Sequence, residues 1–478
     1  MFDFSHCYHR FPDELATSRL DALYNDPIFD VIEERIAAGR FPFQSLSEAA
    51  TFLAEGRDPQ ANPHDEFAYV DIGSIDTVRG VPSPEIMLGH QATSSRMRRV
   101  MHEGNVLVSS TRPTRNAICV VPDKLDDQIC STGFAVLECK PDVLSRFLFY
   151  ALRSDVASLQ FERLCSGSGY PAINQETDLP QVRVPKPNVE TQREILKALE
   201  PMEVTARRLD EQGAKIREDA DKILLAELGI HILPADTANY FFKTGSEKQT
   251  VWFFVFPDDV TNRLHYLFFH PRHQVLDVLC ARYCTVPLTR ICREPIVRGE
   301  QPDYDEFGTV SVLKTVDLRN DCIDYDNTSK VSEDFFAAHP AAHVRKGDIL
   351  IASTGYVSMG KVDVYDDDEP AMADGHISIV RVNENYDPYF VAYFLRCHLG
   401  QQQFEKWFTG SSGQIEVQPM DLGEFLVPVS DALGVPLGEQ QRVATAITKR
   451  LDEARALEQQ AAAKWSEAKD SFEERVGC

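Results

Sequence analysis

The stretch VETQREILKALEPMEVTARRLDEQGAKIREDADKILLAEL, Val189 to Leu228, decides how the chain is read. Small or apolar residues recur at Ile195, Leu199, Met202, Ala206, Leu209, Gly213, Ile216, Ala220 and Ile223. Their spacing alternates between four and three residues, the heptad signature of a helix that packs on another helix. Arg, Glu, Asp and Lys fill the other faces, so the segment is too charged to span a membrane. A similar segment, Glu439 to Val476, closes the chain with Ile447, Leu451, Ala454, Ala461, Trp465, Ala468 and Phe472 in like register. At ~1.5 Å per residue, each helix reaches on the order of 50–60 Å. The helix pair is expected to pack through Ile195, Leu199, Leu209, Ile216 and Ile223 on one side. Ile447, Leu451, Trp465 and Phe472 answer from the other. Pro201 falls inside the first helix and predicts a kink or a restart there.

Outward from these helices the chain repeats itself. Arg19, Leu20 and Pro27 align without a gap on Arg263, Leu264 and Pro271. VMHEGNVLVSST (Val100–Thr111) matches VRKGDILIAST (Val344–Thr354), with Gly104 over Gly347. GSGYPAI (Gly167–Ile173) resembles GSSGQI (Gly410–Ile415), and Asp178-Leu179 lies over Asp421-Leu422. Both copies then reach a Val-Pro pair, Val184-Pro185 and Val427-Pro428, and a Gln that opens the long helix, Gln192 and Gln440. The offsets stay between 243 and 248 residues, which chance matches would not do. The chain is a tandem duplication of a globular module plus a helix.

Within the modules, short β-rich runs such as Val106–Ser109, Ala117–Val121, Phe134–Leu137, Val251–Phe256, Ile349–Ala352 and Ile377–Val382 are separated by Gly, Asp and Pro turns. Helical patterns lie between them, at Leu144–Leu164 and Pro388–Phe408. The expected fold is α+β, a tandem repeat of two mixed α/β modules, each followed by a long spacer helix, the helices packed antiparallel. The expected boundaries are 1–188 and 231–436 for the modules, and 189–230 and 437–478 for the helices.

With 478 residues, 43% of them hydrophobic, the chain can build more than one real core. It has no apolar run of membrane length and no signal-peptide layout at MFDFSHCYHRF, and its eleven cysteines form no framework. Those features predict a reducing cytoplasm. The net charge of −25, taken alone, argues against nucleic acid, because phosphate contacts need Lys and Arg.

The order of these motifs resembles the DNA specificity subunits of type I restriction–modification systems. The likeness rests on VRKGDILIASTGYVSMG (Val344–Gly360), on Gly410–Pro428, on Gly167–Pro187 followed by Glu190-Thr191-Gln192, and on the opening Ser18–Pro27. It runs over nearly the whole chain. Each motif is mostly Gly turns and aliphatic strands; their doubled order before heptad helices is what is specific. The resemblance implies that each module is a target-recognition domain reading one half of a split, asymmetric site in double-stranded DNA. It implies that the helix pair sets the distance between halves and docks two methyltransferase subunits, with restriction and translocase subunits joining later. It also implies no catalysis and no cofactor in this chain.

The residues agree with the last point. There is no GxxxxGK[ST] loop, and Asp387-Pro388-Tyr389 has one proline too few for an amino-methyltransferase element. Pro122-Asp123 followed by Glu138-Cys139-Lys140 fits a loose metal-nuclease pattern, but the second copy has no equivalent. His270, His273, Cys280 and Cys284 have zinc-compatible spacings; buried cysteines and surface histidines explain them more simply.

Base readout needs Arg, Lys, Asn, Gln or hydroxyl groups on loops. The first module offers Arg96, Arg98 and Arg99, then Ser110, Arg112, Arg115 and Asn116; the second offers Arg345, Lys346, Ser353, Thr354, Tyr356 and Lys361. Two Gly/Ser loops add Ser168 and Tyr170 in one copy and Ser411 and Gln414 in the other, with room for close backbone approach to phosphate. The acidic balance keeps a different class open, an interaction scaffold or an acidic DNA mimic in a defence complex. Salt separates the classes, because only a DNA reader loses duplex affinity as salt rises.

Overall fold

The computed structural model describes residues 24–167, 171–230, 266–270, 273, 275–276, 283, 285–305, 307–325, 328–355, 358–411, 414–429 and 434–477. The chain divides into two compact units, Met1–Glu211 with Leu457–Cys478, and Gln212–Ala456. Each unit holds one sheet-bearing module and one end of each long helix.

In the first unit, Ala50–Leu53, Phe134–Cys139, Val106–Ser109 and Ile118–Val120 form one sheet in that order. Glu85–Leu88, Glu66–Val70, Gln128–Ser131 and Met97–Met101 form another. The second unit repeats both, with Val297–Arg298, Ile377–Val380, Ile349–Ala352 and Val362–Val364, then Ser329–Val331, Val310–Leu313, Ala371–Ala373 and His343–Val344. Even the exception recurs. Gln128–Ser131 pairs parallel with Glu66–Val70, and Ala371–Ala373 pairs parallel with Val310–Leu313, while the other pairings in these sheets are antiparallel. The duplication seen in the anchors is therefore a duplication of topology.

The continuous apolar runs are explained by burial on both faces. Along Val106–Ser109, Val106 and Val108 face the helices with Phe147, Leu148 and Ala151, whereas Leu107 faces the other sheet with Val70 and Met101. Ile349 and Ile351 likewise meet Phe390 and Phe394, and Leu350 meets Leu313 and Ala371. Each expected helical stretch is two helices: Ser145–Leu152 and Asp155–Leu164, then Pro388–Arg396 and His398–Trp407. In the first copy Ser154 makes the break, its hydroxyl accepting the Ala157 N–H at 3.3 Å as an N-cap.

The long helices run Val189–Glu227 and Leu437–Val476, and the first continues through Pro201. In the first unit, Ile195, Leu196 and Leu199 share a core with Ala468, Phe472 and Val476. In the second, Ala220, Leu224 and Leu228 share one with Val443, Ala444, Ile447 and Leu451. Within each unit the start of one helix thus meets the end of the other, an antiparallel pairing. Ile195, Leu199, Ile447, Leu451, Trp465 and Phe472 are buried; Leu209, Ile216 and Ile223 are only partly so. Leu224 occupies the seam position expected of Ile223. A straight α-helix drifts ~20° per heptad from a 3.5-residue repeat, so the buried stripe slides by a residue over several turns.

Buried glutamines tie helix to module twice over. Gln192 Oε1 accepts from Leu144 N at 2.8 Å, and its Nε2 donates to the Asp142 and Pro187 carbonyls. Gln440 Oε1 accepts from Asp387 N at 3.0 Å, and its Nε2 donates to the Val435 carbonyl. Gln160 and Gln403 form a second matched pair, exchanging hydrogen bonds with the backbone of Arg183 and Leu426. Polar side chains this deep persist because each amide satisfies donors and acceptors left by strand and helix ends.

Several expectations lie outside the described residues: Arg19, Leu20, Arg263, Leu264, Pro271, Val251–Phe256, Cys280 and Cys284. His270 and His273 are buried, not at the surface as expected. Lys140 donates to Thr51 Oγ1 at 2.7 Å, and Glu138 is exposed. Among the described residues no group of three or more His, Cys, Asp or Glu could hold a metal ion. Nor is any described helix long and apolar enough to cross a membrane.

Candidate nucleic-acid interface

In the first module two separate sequence clusters become one edge. Ser110 ends the strand Val106–Ser109, with its N–H and hydroxyl both donating to the Gly133 carbonyl at 2.8 Å. Its own carbonyl accepts from Ile173 N at 2.8 Å, Thr111 bridges Ala172, and Arg112 N donates to the Pro171 carbonyl at 2.7 Å. The basic loop is thereby stitched to the Gly/Ser loop that ends at these residues. Arg112 (φ 48°) and Asn116 (φ 59°) are both left-handed and flank a tight turn, Pro113–Arg115. Non-glycine residues in that region carry a conformational cost, and such costs cluster at binding sites.

Arg96 joins the same edge, because its carbonyl accepts from Thr132 N at 2.9 Å. The Arg96 and Arg115 side chains are exposed and meet no partner among the described residues. Arg98 pairs with Asp58 at 3.2 Å, and Arg99 donates to the Leu53 carbonyl at 3.0 Å. Gln175, which the sequence reading passed over, braces the edge by donating to Ser110 Oγ at 2.9 Å and to the Thr132 carbonyl at 3.1 Å. Ser168 and Tyr170 lie outside the described residues.

The second module builds the same edge with other side chains. Ser353 N donates to the His376 carbonyl, and Val417 N to the Ser353 carbonyl, both at 2.9 Å. Thr354 bridges Glu416, and Gly355 N donates to the Ile415 carbonyl at 2.9 Å. Gly355 (φ 88°) stands where the first copy has Arg112, so the left-handed geometry is kept and the cation is lost. Ser353 itself is fully buried, its hydroxyl donating to Ser378 Oγ at 2.6 Å. Ser411 and Gln414 pair across a short hairpin, and Tyr356 lies outside the described residues.

Two further residues complete this edge. Arg298 Nη1 donates to Glu416 Oε2 at 3.0 Å, matching that carboxylate's charge, and Thr354 Oγ1 lies 2.7 Å from His376 Nδ1. Lys361 is half-buried and donates to the Thr315 carbonyl at 3.3 Å; burial first, then the Arg319 charge, pull its pKa below the usual lysine range. Arg345 and Lys346 sit elsewhere. They precede the strand Ile349–Ala352, whose far end carries Ser353, so at ~3.3 Å per residue they lie more than about 10 Å from the edge. Both are paired, Arg345 with Glu294 and Lys346 with Asp368, each at 2.9 Å. Spacing from a strand end is the signal that would have separated them from the edge.

Residues 98–212 match the family model described as the type I restriction modification DNA specificity domain. That stretch resembles a type I specificity domain. It takes in Arg98, Arg99, the Ser110–Asn116 loop, the Gly/Ser loop and the start of the first long helix, ending at Gln212. No curated protein matches the chain. Among solved structures, the HsdS subunit from Thermoanaerobacter tengcongensis is similar at 22% identity, over 91% of this chain and 96% of that one, with a TM-score of 0.35. A chain from a structural study of complex assembly and conformational transition of the type I R-M system is 23% identical over the same shares, again at 0.35. The type I restriction-modification system S subunit from M. genitalium is 16% identical over 92% of this chain and 96% of that one, with the same score. A score at that level is too low to argue fold likeness from. The likeness to a specificity domain rests on the family match over 98–212, and the repeated edge on the chain's own geometry.

Proposed function

We propose that the chain is the non-catalytic DNA sequence-specificity subunit of a cytoplasmic type I restriction–modification complex. Residues 1–188 and 231–436 are the two target-recognition domains, each presenting its loop edge to one half of a split, asymmetric target. The long helices, 189–230 and 437–478, hold the halves at a fixed spacing and dock two methyltransferase subunits on their outer faces, and restriction and translocase subunits join that complex. One observation carries this reading: a specificity-domain chain builds the same loop edge twice and fills it with different side chains. Two linked readers raise each other's effective concentration, so modest half-site contacts give a selective whole. The charge of −25 favours a second reading, an acidic scaffold or mimic that binds no duplex. In the first reading the methyltransferases supply most of the phosphate contacts.

Arg112→Ala with Arg115→Ala tests the choice. In the assembled complex, the pair weakens binding and relaxes preference in one half-site by roughly 5- to 150-fold, the range for lost base contacts of ~1–3 kcal/mol. The other half-site is unchanged. No duplex binding by wild type or variant at any salt favours the scaffold.

A further inference from the structure

The turn between Ala371–Ala373 and Ile377–Val380 carries an exposed imidazole, His376. Its backbone is fixed on both sides: its N–H donates to Asp374 Oδ1 at 2.9 Å, and its carbonyl accepts from Ser353 N at 2.9 Å. The ring is fixed as well, with Nδ1 2.7 Å from the Thr354 hydroxyl. Among the described residues that leaves Nε2 as the ring's unused polar atom, on the edge already formed by Thr354, Gly355 and Glu416. The matching turn of the first module holds Gly133, where an added Cβ would meet Ile72 Cδ1 at 2.6 Å. The imidazole is therefore a feature of the second edge alone.

We propose that His376 reads a purine in the half-site of the second module, with Thr354 as its positioning residue. This rests on the DNA-reading function proposed above. When the Thr354 hydroxyl donates to Nδ1, the neutral ring carries its proton on Nε2 and becomes a donor. Both purines show the N7 acceptor in the major groove; guanine adds the O6 acceptor beside it, whereas adenine places an amino donor there. A guanine is the better match. A ring held from behind in one tautomer loses little freedom on binding, which is what a selective contact requires. Glu416 is no obstacle to DNA here, because Arg298 pairs with it.

The test uses the assembled complex and random-sequence duplexes. Wild type selects a guanine, or at least a purine, at one position of one half-site, and His376→Ala relaxes that position alone by about 5- to 10-fold. Replacing that purine with its 7-deaza analogue weakens wild type to the same degree and leaves His376→Ala unaffected. Thr354→Val gives a smaller loss, which Thr354→Ser restores. His376→Gln, which keeps a donor, controls for folding by retaining binding to the unchanged half-site. Selection by wild type with no change in His376→Ala overturns this assignment while leaving the DNA-reading function intact. No selection by wild type overturns the function itself, and this assignment with it.

Discussion

Phe472→Ala destabilises the first unit by about 3–5 kcal/mol, the usual range for emptying a buried phenylalanine site. The ring has no exposed surface. It lies 5.2 Å from Phe147 and 5.4 Å from Tyr150, centre to centre, and shares its core with Ile195, Leu199 and Ala468. One side chain near the chain end thus joins the second helix to the module helices and to the start of the first helix. Leu199 and Phe147 are themselves fully packed and leave little room for collapse into the cavity. At ~2–4 °C per kcal/mol for a unit of this size, the unfolding midpoint of the first unit falls by about 10 °C. Thermal unfolding checks this, with exposed Val204→Ala on the first long helix as a control expected to stay within about 0.5 kcal/mol. A Phe472→Ala loss no larger than that of the control contradicts the helix pairing described above.

Asp363→Asn produces the second large effect, and its sign depends on pH. Asp363 is 1% exposed on the strand Val362–Val364; burial pushes its pKa up to about 7, against the opposing pull of Arg396 at 3.7 Å. The Asn320 N–H, donating at 3.0 Å, also favours the carboxylate, and Asp321 disfavours it. A raised folded-state pKa means that the folded chain binds a proton the unfolded chain has already released. Stability of the second unit therefore falls as pH rises from about 4 to about 7 and levels off above. Between pH 5 and pH 8 the loss is about 3 kcal/mol, at ~1.36 kcal/mol per pH unit. Asparagine keeps the acceptor for Asn320 and removes the charge. The variant is expected to melt higher than wild type at pH 8 and to lose most of that advantage by pH 5. Parallel pH–stability curves for the two proteins contradict this account of Asp363.

Much of the architecture was legible in the sequence because it is written twice. The heptad stripes placed both long helices, and the doubled Gly, Val-Pro and Gln anchors found modules whose strand order proved to repeat, including the one parallel pairing in each. That order itself was not legible, since pairing Gln128–Ser131 with Glu66–Val70 joins residues far apart in sequence. Ser353 reads from sequence as a hydroxyl on a strand end; its burial follows from cover on both faces of the sheet, which alternation does not reveal. Arg345 and Arg98 read as available cations, but each has a carboxylate partner supplied by a distant loop, Glu294 and Asp58. Gln175 and His376 were missed because turns bring them to the edge, and Arg298 because a short strand does; no local pattern marks them. The Arg112 loop was found by composition alone, and its left-handed backbone is the structural reason to single it out.

The most direct measurement is co-purification of this chain with the proteins encoded beside it, followed by selection from random duplexes by the recovered complex across a salt series. The account predicts recovery of a methyltransferase and enrichment of two unlike half-sites at one fixed spacing, with affinity falling steeply as salt rises. A complex that enriches no sequence, or a contiguous one with no spacer, contradicts the two-module reading.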